Sequence, residues 1–355
     1  MSPPLGWGWR GELILLPAGY LRELGVRIFT ALGAPKPKAE LVAETLVEAS
    51  LTGHDSHGVS YFLRYAERIR KGFIKPEAEP IIVRESPSSA LLDGCWGFGQ
   101  VTAMRVMELA VEKASRCVVS AVGAYNCNHI GRVGYYTSWA ARRGFIGLMF
   151  VNVGHPMVSV HGGVGRVLGT NPFSASAPTG DDPFLLDYAT STVADGKVSW
   201  AMAKGERIPS HWIRDKNGRP TEDPNMLREG GWLLPFGGHK GYCLQLLMEL
   251  IGAALTGSRS GVDPEIGPPS TNGILAIAID PEGFVGLEAF KKRSQGILRC
   301  VKETKAEEGG EILIPGEPEW TTRRRRLEDG IPLPESTWSQ ILDLVDELSI
   351  NLQLI

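Results

Sequence analysis

Long hydrophobic runs are scarce in this chain of 355 residues. The most apolar stretch, residues 242–255, is interrupted by Glu249 and falls short of the roughly 18 apolar residues that a membrane span requires. The first twenty residues lack a basic segment followed by a long apolar core, which a secretory signal peptide requires. We therefore expect no membrane partner and a cytoplasmic location.

Paired cysteines and a large net charge are also missing. The five cysteines are an odd number at scattered positions without a Cys-x-x-Cys pair, which disfavours a disulfide framework, a zinc site or a redox dithiol. The net charge of −3 gives no global field to attract a nucleic acid. With 43% hydrophobic residues, the composition instead predicts a well-packed soluble enzyme of one or two domains.

A usable G-x-G-x-x-G turn, which is typical of the doubly wound dinucleotide-binding fold, is absent as well. The nearest match, residues 163–169, has the wrong final spacing and is followed by Pro172, which stops a helix here instead of starting one. If a nicotinamide cofactor binds, we expect it to bind outside that fold.

The spacing of apolar residues divides the chain into a helical start and an α/β remainder. Apolar positions recur at helical spacing over residues 17–33, 36–52 and 57–72. From residue 81 onward, short β-branched runs alternate with helical segments, which predicts an α/β fold. Strands are predicted at 81–83, 117–122, 146–151, 184–187, 274–279 and 311–315, and further helices at 100–115, 135–143, 242–255, 285–301 and 336–348. The polar, glycine-rich segment 194–234 is predicted to be a surface excursion of the kind that borders an active site.

Residues 53–58, Gly-His-Asp-Ser-His-Gly, concentrate side chains that move or share protons. A histidine titrates near neutral pH, so His57 is a candidate to protonate the carbonyl of an oxo acid and to take the proton back in the reverse direction. Ser56 or Asp55 would fix its tautomer, or would simply cap the following helix. Two histidines three residues apart are also found in metal sites, but no third or fourth ligand is evident, and we predict no metal.

Further polar side chains follow the predicted strands. His129 and Arg132 follow a buried strand, where His129 is a second proton-transfer candidate and Arg132 suits a carboxylate, although each could equally be structural. Lys240, in a glycine turn before an apolar helix, indicates either a phosphate cradle or a solvated lysine. Asp187 and the hydroxyls that follow it suit hydrogen bonds to ribose or phosphate, or form an ordinary turn.

Together these segments resemble a known family, the type-2 malate/L-lactate dehydrogenases, from about residue 17 to the end of the chain. Seven motifs carry the resemblance by their order and spacing: GHDSHGV (53–59), DGCWGFGQ (93–100), NCNHIGRVGYYT (126–137), GTNPFSASAP (169–178), LDYATSTVADGKV (186–198), GRPTEDP (218–224) and PFGGHKGYCL (235–244). The resemblance implies an oxidoreductase that interconverts a 2-hydroxy acid and a 2-oxo acid, with NAD or NADP as its cofactor.

The same resemblance implies an architecture. It predicts a non-Rossmann NAD(P)-binding domain with a mixed sheet, plus a helical domain formed by the N-terminal segments and the chain end. We therefore predict a helical segment at 1–80, a cofactor-binding and catalytic α/β domain at 81–320, and C-terminal helices at 321–355 that pack back on the helical segment. The family also implies a homodimer with the active site near the subunit interface.

Carried onto this chain, the motifs predict His57 and His129 as the pair that transfers the proton and orients the substrate, with Ser56 beside them. The residues implied to line the cofactor are Gly154, His155, Thr170, Asn171, Asp187, Ala189, Thr190, Ser191, His239, Lys240, Gly316 and Glu317.

One position departs from the family pattern. Many members place a carboxylate-binding arginine five residues after the serine of the Ser-His-Gly motif, and here that position is Tyr61. Either Arg64 or Arg132 must replace it, or the substrate differs from the malate type. Several segments resemble the broad-specificity hydroxycarboxylate branch, whose substrates include aryl-pyruvates and longer oxo acids. Two alternatives stay open: a reductase of a cyclic imine carboxylate, and a catalytically inactive nucleotide-binding dimer.

Overall fold

The structure is a computed structural model and describes residues 9–10, 13–180, 182–263 and 271–352. The α-helices within these ranges are α1 Ala18–Ala31, α2 Lys36–Leu51, α3 Tyr61–Arg70, α4 Gly99–Cys117, α5 Gly134–Ala141, α6 Asp195–Lys204, α7 His239–Met248, α8 Leu287–Lys302, α9 Glu317–Asp329 and α10 Glu335–Glu347. The strands are β1 Trp9–Arg10, β2 Leu13–Leu16, β3 Ile81–Glu85, β4 Ser89–Asp93, β5 Val119–Cys127, β6 Ile146–Val153, β7 Phe173–Ala177, β8 Phe184–Tyr188, β9 Ile213–Arg214, β10 Pro220–Thr221, β11 Trp232–Leu233, β12 Asn272–Ile279 and β13 Ile331–Pro334.

Helices from both ends of the chain share one hydrophobic core. α1 places Leu21, Leu24 and Ile28 three or four residues apart on one face, and all three are fully buried. β2 pairs antiparallel with β13, so that Leu16 lies opposite Ile331, and α10 packs into the same core. This layer also contacts the central sheet domain, because α2 packs against α4 and α5.

A seven-stranded mixed sheet lies at the centre, in the order β3-β4-β5-β12-β6-β7-β8. The pair β4–β5 is parallel, and every other adjacent pair in this sheet is antiparallel. β12 buries Ile274, Ala276 and Ala278 in a second core that includes residues of α4 and α5. The prediction of a mixed α/β fold is therefore confirmed.

Several loops lie together at one end of the strands of this sheet. β5 ends at Cys127 and β6 ends at Val153, each opposite Asn272 of β12. β7 begins at Phe173, opposite Tyr188 at the end of β8. Polar loops, at residues 128–133, 154–172 and 189–194, therefore leave the sheet side by side at this end of its strands. We call this end the polar edge of the sheet.

The segment 194–234 was predicted as a surface excursion, and this is wrong for a substantial part of it. It contains α6 and a three-stranded sheet in the order β10-β9-β11. Apolar residues scattered among its glycines and charges gather into a third small core, which includes Val198, Ile213, Leu227 and Leu233. The sequence did not reveal this core because its apolar residues are spread among polar ones and meet only when the segment folds back on itself.

Two predicted elements also need correction. Residues 311–315 form no strand: the backbone bonds described there are from the Leu185 N–H to the Pro315 carbonyl (3.1 Å) and from the Glu317 N–H to the Ile314 carbonyl (2.9 Å), and neither forms a ladder. The helix predicted at 242–255 ends as α7 and continues as a π-helix, Glu249–Ala254, whose buried Glu249 accepts a hydrogen bond from Asn171 (2.8 Å).

Across the described ranges, no helix is long and apolar enough to cross a membrane. In the same part of the chain, no group of three or more His, Cys, Asp or Glu side chains is placed to hold a metal ion. The predicted domain boundaries stay predictions, and residues 1–8, 11–12 and 353–355 of the predicted terminal segments lie outside the described residues.

Candidate active site

The Gly-His-Asp-Ser-His-Gly segment is a tight turn between α2 and α3. The Val59 N–H donates to Ser50 Oγ at 3.1 Å, and a Cβ at Gly58 would lie 2.0 Å from that oxygen, so glycine is needed there. Arg326 of α9 donates to both carboxylate oxygens of Asp55, at 2.6 and 3.0 Å. Asp55 is therefore engaged by an arginine, which leaves Ser56 as the tautomer-fixing candidate from this turn.

Ser56 links the turn to His57 and to α6. Its Oγ lies 3.1 Å from His57 Nδ1. A Cβ at Gly196 would lie 2.3 Å from Ser56 Cβ, so only glycine allows the start of α6 to approach this closely. The segment predicted to border the active site therefore does contact it, although through a helix.

Three aromatic rings from two distant motifs stack together. The ring centroids of Tyr61 and His129 lie 4.7 Å apart with 10° between their planes. His57 and His129 are 5.5 Å apart at 19°, and His57 and Tyr61 are 6.2 Å apart at 9°. The structure thus brings both predicted proton-transfer histidines into one site and places the divergent Tyr61 between α3 and His129.

Several buried groups hold His129 in place. The hydroxyl of Tyr65 lies 2.8 Å from His129 Nδ1, and the Gly131 N–H donates to the same nitrogen at 3.3 Å. Gln100 Nε2 donates to the Tyr65 hydroxyl at 2.6 Å. The side-chain amide of Asn128, the residue before His129, donates to three backbone carbonyls at 2.9 to 3.0 Å. These bonds fix the loop that carries the His129 imidazole.

The surroundings of His57 favour its neutral form. Burial is the main cause that lowers its pKa to about 4, and His54, Arg64 and Arg132 act in the same direction. The Asp195 carboxylate opposes them and raises the pKa. The neutral form suits a group that accepts a proton from a hydroxy acid.

His129 has a similar environment. Burial holds its pKa well below the usual value, and the nearby His57, Arg68 and Arg64 lower the pKa further. A bound anion would offset these positive charges and raise the pKa of both histidines toward neutral pH. The pair is therefore electrostatically suited to an anionic substrate.

A cleft of about 250 Å³ opens beside the stacked rings. Lys71 in its wall is paired with Glu67 at 2.5 Å, so these two charges neutralise each other. Arg64 and Arg68 supply the remaining charge of the cleft, and Arg64 also lies 5.1 Å from the centroid of the Tyr61 ring. The full lining is Tyr61, Arg64, Glu67, Arg68, Lys71, Phe73 and His129.

Arg132 lies deeper and forms an ion pair with Asp187. Its Nε is 3.4 Å from Asp187 Oδ2, and the two side chains are 3% and 8% exposed. The Gly134 N–H donates to the same oxygen at 2.8 Å, while burial raises the pKa of Asp187 against the effect of Arg132. Nε and Nη2 of Arg132 have no hydrogen-bond acceptor in the described part of the chain, so they are suited to bind an acceptor on a ligand.

The residues implied to line a cofactor fall into two groups. His239 and Lys240 open α7 and are exposed, while Gly316 and Glu317 lie at the start of α9. The other group lies in the loops at the polar edge of the sheet and comprises Gly154, His155, Thr170, Asn171, Asp187, Ala189, Thr190 and Ser191.

Some of these edge side chains already bond to the protein. Asn171 is fully buried and accepts from the Val153 N–H at 2.8 Å. Thr190 Oγ1 donates to the carbonyls of Thr170 and Asn171, at 3.0 and 2.9 Å, and Ser191 Oγ donates to the Val193 carbonyl at 2.8 Å. These bonds shape the edge, and contact of these side chains with a cofactor stays a prediction.

A second cavity of about 560 Å³ adjoins the start of α7. Among the described residues, its lining includes His161, His211 and Arg214 and no carboxylate, together with the turn glycines Gly237 and Gly238. Both glycines have positive φ, 55° and 62°, a conformation that glycine adopts without steric cost in the turn before the helix. An arginine, two imidazoles that can donate hydrogen bonds, turn glycines and a helix start together suit phosphate.

Several residues of the candidate site were not predicted from the sequence. Tyr65 and Arg68 lie four and seven residues after Tyr61 on α3. Helical spacing therefore puts them on the same face as Tyr61, near the site, but the sequence prediction did not use this. Gln100 ends the motif DGCWGFGQ but carries no pattern that marks it as functional. Asp195 reaches the site only through the packing of α6, which no local pattern foretells.

Two stacked imidazoles beside a positively charged cleft, at the polar edge of a mixed sheet, are suited to acid–base chemistry on a small anion. The sequence profile of the family described as malate/L-lactate dehydrogenase matches residues 16–342. The chain is 37% identical to L-sulfolactate dehydrogenase from Methanocaldococcus jannaschii over 94% of this chain and 96% of that one. It is 38% identical to hydroxycarboxylate dehydrogenase B from Escherichia coli K12, over 91% of each chain. The crystal structure of malate dehydrogenase from Entamoeba histolytica superposes with a TM-score of 0.92 at 31% identity, over 96% of this chain and 99% of that one.

The chain belongs to the malate/L-lactate dehydrogenase family. The resemblance and the prediction of an oxidoreductase of the dehydrogenase class are therefore confirmed. Membership also implies a nicotinamide cofactor.

Proposed function

We propose that this protein reversibly reduces a small 2-oxo acid to the 2-hydroxy acid with NADH or NADPH. The observation that carries the proposal is the pair of neutral, stacked histidines, His57 and His129, beside a positively charged cleft. When bound, the cofactor supplies a hydride to C2 of the oxo acid. The oxygen at C2 then gains negative charge and needs both stabilisation and a proton, which the imidazoles are placed to supply.

We place the substrate carboxylate on Arg132. Its Nε–H and Nη2–H have no hydrogen-bond acceptor among the described residues, although Nε lies 3.4 Å from Asp187 Oδ2, and they suit the two parallel hydrogen bonds that a carboxylate accepts from arginine. Arg132 also lies close enough to His57 to lower the pKa of that imidazole, so the carboxylate and C2 can sit next to each other in one site. Arg132 would then take the role of the carboxylate-binding arginine that the family pattern places at the position of Tyr61.

The cleft further favours a substrate with a second anionic group. Arg64 and Arg68 face the cleft together with the rings of Tyr61, Phe73 and His129, so both charge and aromatic stacking are available. A hydrogen bond to a charged group contributes about 1.5–3 kcal/mol, whereas an aromatic pair adds about 0.5–1.5 kcal/mol beyond its buried area. We therefore expect a dianionic oxo acid to be preferred over an aryl-pyruvate.

The test of this function is a panel of initial rates with oxaloacetate, 2-oxoglutarate, pyruvate, phenylpyruvate and a cyclic imine carboxylate. For the wild type we expect oxaloacetate to be reduced with the highest kcat/KM. Arg64→Gln is expected to raise the KM for oxaloacetate roughly tenfold, the equivalent of one charge-assisted hydrogen bond, and to change the KM for pyruvate less than about threefold.

Arg70→Gln is the matched control for this panel. It removes the same charge from the same helix, but its side chain is paired with Glu347 at 2.8 Å and is not part of the cleft lining. Equal effects of the two variants on oxaloacetate would reduce the role of Arg64 to general surface charge. Turnover of the imine and of no oxo acid would overturn the proposed reaction.

We place the cofactor on the polar edge of the sheet, outside a doubly wound fold. The mainly antiparallel sheet and the missing G-x-G-x-x-G turn both support this placement. The second cavity, whose described lining residues include His161, His211 and Arg214 but no carboxylate, fits the phosphates of a dinucleotide. Lys240 at the start of α7 would add a further positive charge, and Asp187 and its neighbouring hydroxyls are suited to the ribose.

The lowered pKa of His57 predicts an unusual pH profile for oxidation of the hydroxy acid. This direction needs a neutral imidazole, and a folded-state pKa near 4 keeps His57 neutral as the pH falls well below the usual value of 6.5. We expect kcat/KM, which reports on the free enzyme, to change less than about twofold between pH 8 and pH 5. An acid limb near pH 6.5, which would cost roughly 30-fold at pH 5, would show that His57 is not the proton acceptor.

We also propose that the chain is a homodimer. Support comes from an apolar surface on α7, the π-helix and the residue after it, where Leu246, Leu247, Leu250 and Leu255 are 40–65% exposed. Monomeric proteins rarely leave such a cluster in solvent. Light scattering is expected to give a mass near twice 38.5 kDa, and a monomeric mass would contradict the proposal.

A further inference from the structure

His129 has one ring nitrogen whose protonation state is set by the backbone. Nδ1 lies 3.3 Å from the Gly131 nitrogen, and a backbone N–H can only donate. Nδ1 must therefore accept this bond and carries no proton in the neutral imidazole. The proton of neutral His129 is then on Nε2, which is the ring nitrogen left to contact a ligand.

Two buried side chains reinforce this tautomer. The Tyr65 hydroxyl has one proton, and its oxygen accepts a hydrogen bond from Gln100 Nε2 at 2.6 Å. Since the amide NH₂ of Gln100 is only a donor, the Tyr65 proton is directed toward His129, whose Nδ1 lies 2.8 Å away and whose carbonyl oxygen lies 3.2 Å away.

The reversed orientation of the Gln100 amide is less favourable. Its Oε1 is buried and has no hydrogen-bond partner among the described residues, so reversal would leave an NH₂ group with two donors at that point. Unsatisfied buried donors are rarer in proteins than an under-satisfied carbonyl oxygen. The direction from Gln100 through Tyr65 to His129 is therefore consistent with the direction that the Gly131 N–H imposes independently.

We propose that Gln100 and Tyr65 are positioning residues that hold His129 as the Nε2–H tautomer, with this N–H directed to the C2 oxygen of the substrate. The inference rests on the proposed function and assigns the two histidines different roles. His129 donates a hydrogen bond that stabilises the oxygen as it gains negative charge, and His57 exchanges the proton with it. Both supporting side chains are inaccessible, with Tyr65 1% and Gln100 0% exposed, so the network is protected from competing water.

The test is ¹⁵N NMR of the full chain labelled in histidine, at pH 7.5, with His129→Gln used to assign the His129 signals. In the wild type we expect the proton on Nε2 and an unprotonated, hydrogen-bonded Nδ1. Tyr65→Phe is expected to shift the Nδ1 resonance and to lower kcat about tenfold with little change in KM. Gln100→Leu, which keeps the tyrosine but removes its donor, is expected to cause the same changes to a smaller extent.

Tyr136→Phe is the matched control. Tyr136 is also fully buried, and its hydroxyl donates to the Ile130 carbonyl in the loop that carries His129. This variant loses a comparable buried bond without touching the imidazole, so we expect a lower thermal midpoint but a wild-type Nδ1 resonance and a kcat within about twofold of wild type.

Two results would overturn the inference: a wild-type His129 protonated on Nδ1, or Tyr65→Phe and Gln100→Leu spectra that match that of Tyr136→Phe. The spectra require no substrate. A protein that reduces no oxo acid would therefore refute the proposed reaction separately, while the tautomer would still be read directly.

Discussion

Replacing His57 or His129 by glutamine is expected to lower kcat/KM for oxo acid reduction by roughly 10²–10⁴, the usual contribution of a positioned acid–base group. Glutamine in place of His57 cannot exchange a proton near neutral pH. Glutamine in place of His129 lacks the ring whose position fixes the Nε2–H donor against the substrate oxygen. The two imidazoles are stacked at 5.5 Å and act on one substrate oxygen in this account, so each loss should be large and the double variant should lose little more than the worse single variant.

His54→Gln provides the control for this pair of variants. His54 lies in the same turn, but its Nε2 is 3.3 Å from Glu319 Oε1, and this contact links the turn to α9. We expect a loss of less than about tenfold in kcat/KM, because one neighbour of His57 changes while the reacting groups stay. If His54→Gln were as damaging as His57→Gln, the activity loss would reflect disruption of the turn and not proton transfer. Initial rates at saturating cofactor separate these outcomes.

Replacing Arg132 by methionine is expected to destabilise the fold by about 3–5 kcal/mol, the usual cost of removing one partner from a buried ion pair. Asp187 is 8% exposed in that pair, and burial already raises its pKa. Without Arg132, its carboxylate would be left buried and uncompensated, or would have to take up a proton. Urea unfolding at pH 7.5 measures the loss.

The double variant Arg132→Met with Asp187→Asn tests the cause. Asparagine keeps an oxygen for the Gly134 N–H, which donates to Asp187 at 2.8 Å, and removes the unpaired charge. We expect most of the stability to return while the activity does not, because the carboxylate of the substrate still lacks its arginine. A double variant as unstable as the single one would show that packing and not charge controls this position.

The sequence predicted those features that depend on residues close together in the chain. His57, His129 and Arg132 each lie in a short polar motif that the spacing of a helix or strand does not explain. The absence of a G-x-G-x-x-G turn predicted a cofactor site outside the doubly wound fold, and this stays a prediction. Helices such as α1 followed directly from apolar spacing, because their burial repeats every three or four residues.

What the sequence could not predict depends on contacts between distant segments. Gln100 of α4 bonds to Tyr65 of α3, and Arg326 of α9 bonds to Asp55 in the turn before α3, so no local spacing indicates either pair. The third core within residues 194–234 escaped for the same reason, since its apolar residues meet only after β9 and its partners fold back. The strand predicted at 311–315 was wrong because β-propensity says nothing about whether a partner strand is available.

The most direct test of the account follows a labelled hydride. Purified protein is incubated with oxaloacetate and NADH or NADPH that carries deuterium at the transferable C4 position, and the product is analysed by mass spectrometry. We predict a 2-hydroxy acid that has gained one deuterium at C2, formed by the wild type and greatly reduced in His57→Gln and His129→Gln. A product without deuterium, or no hydroxy acid from any oxo acid of the panel with either cofactor, would contradict the central claim that this site transfers hydride to a 2-oxo acid.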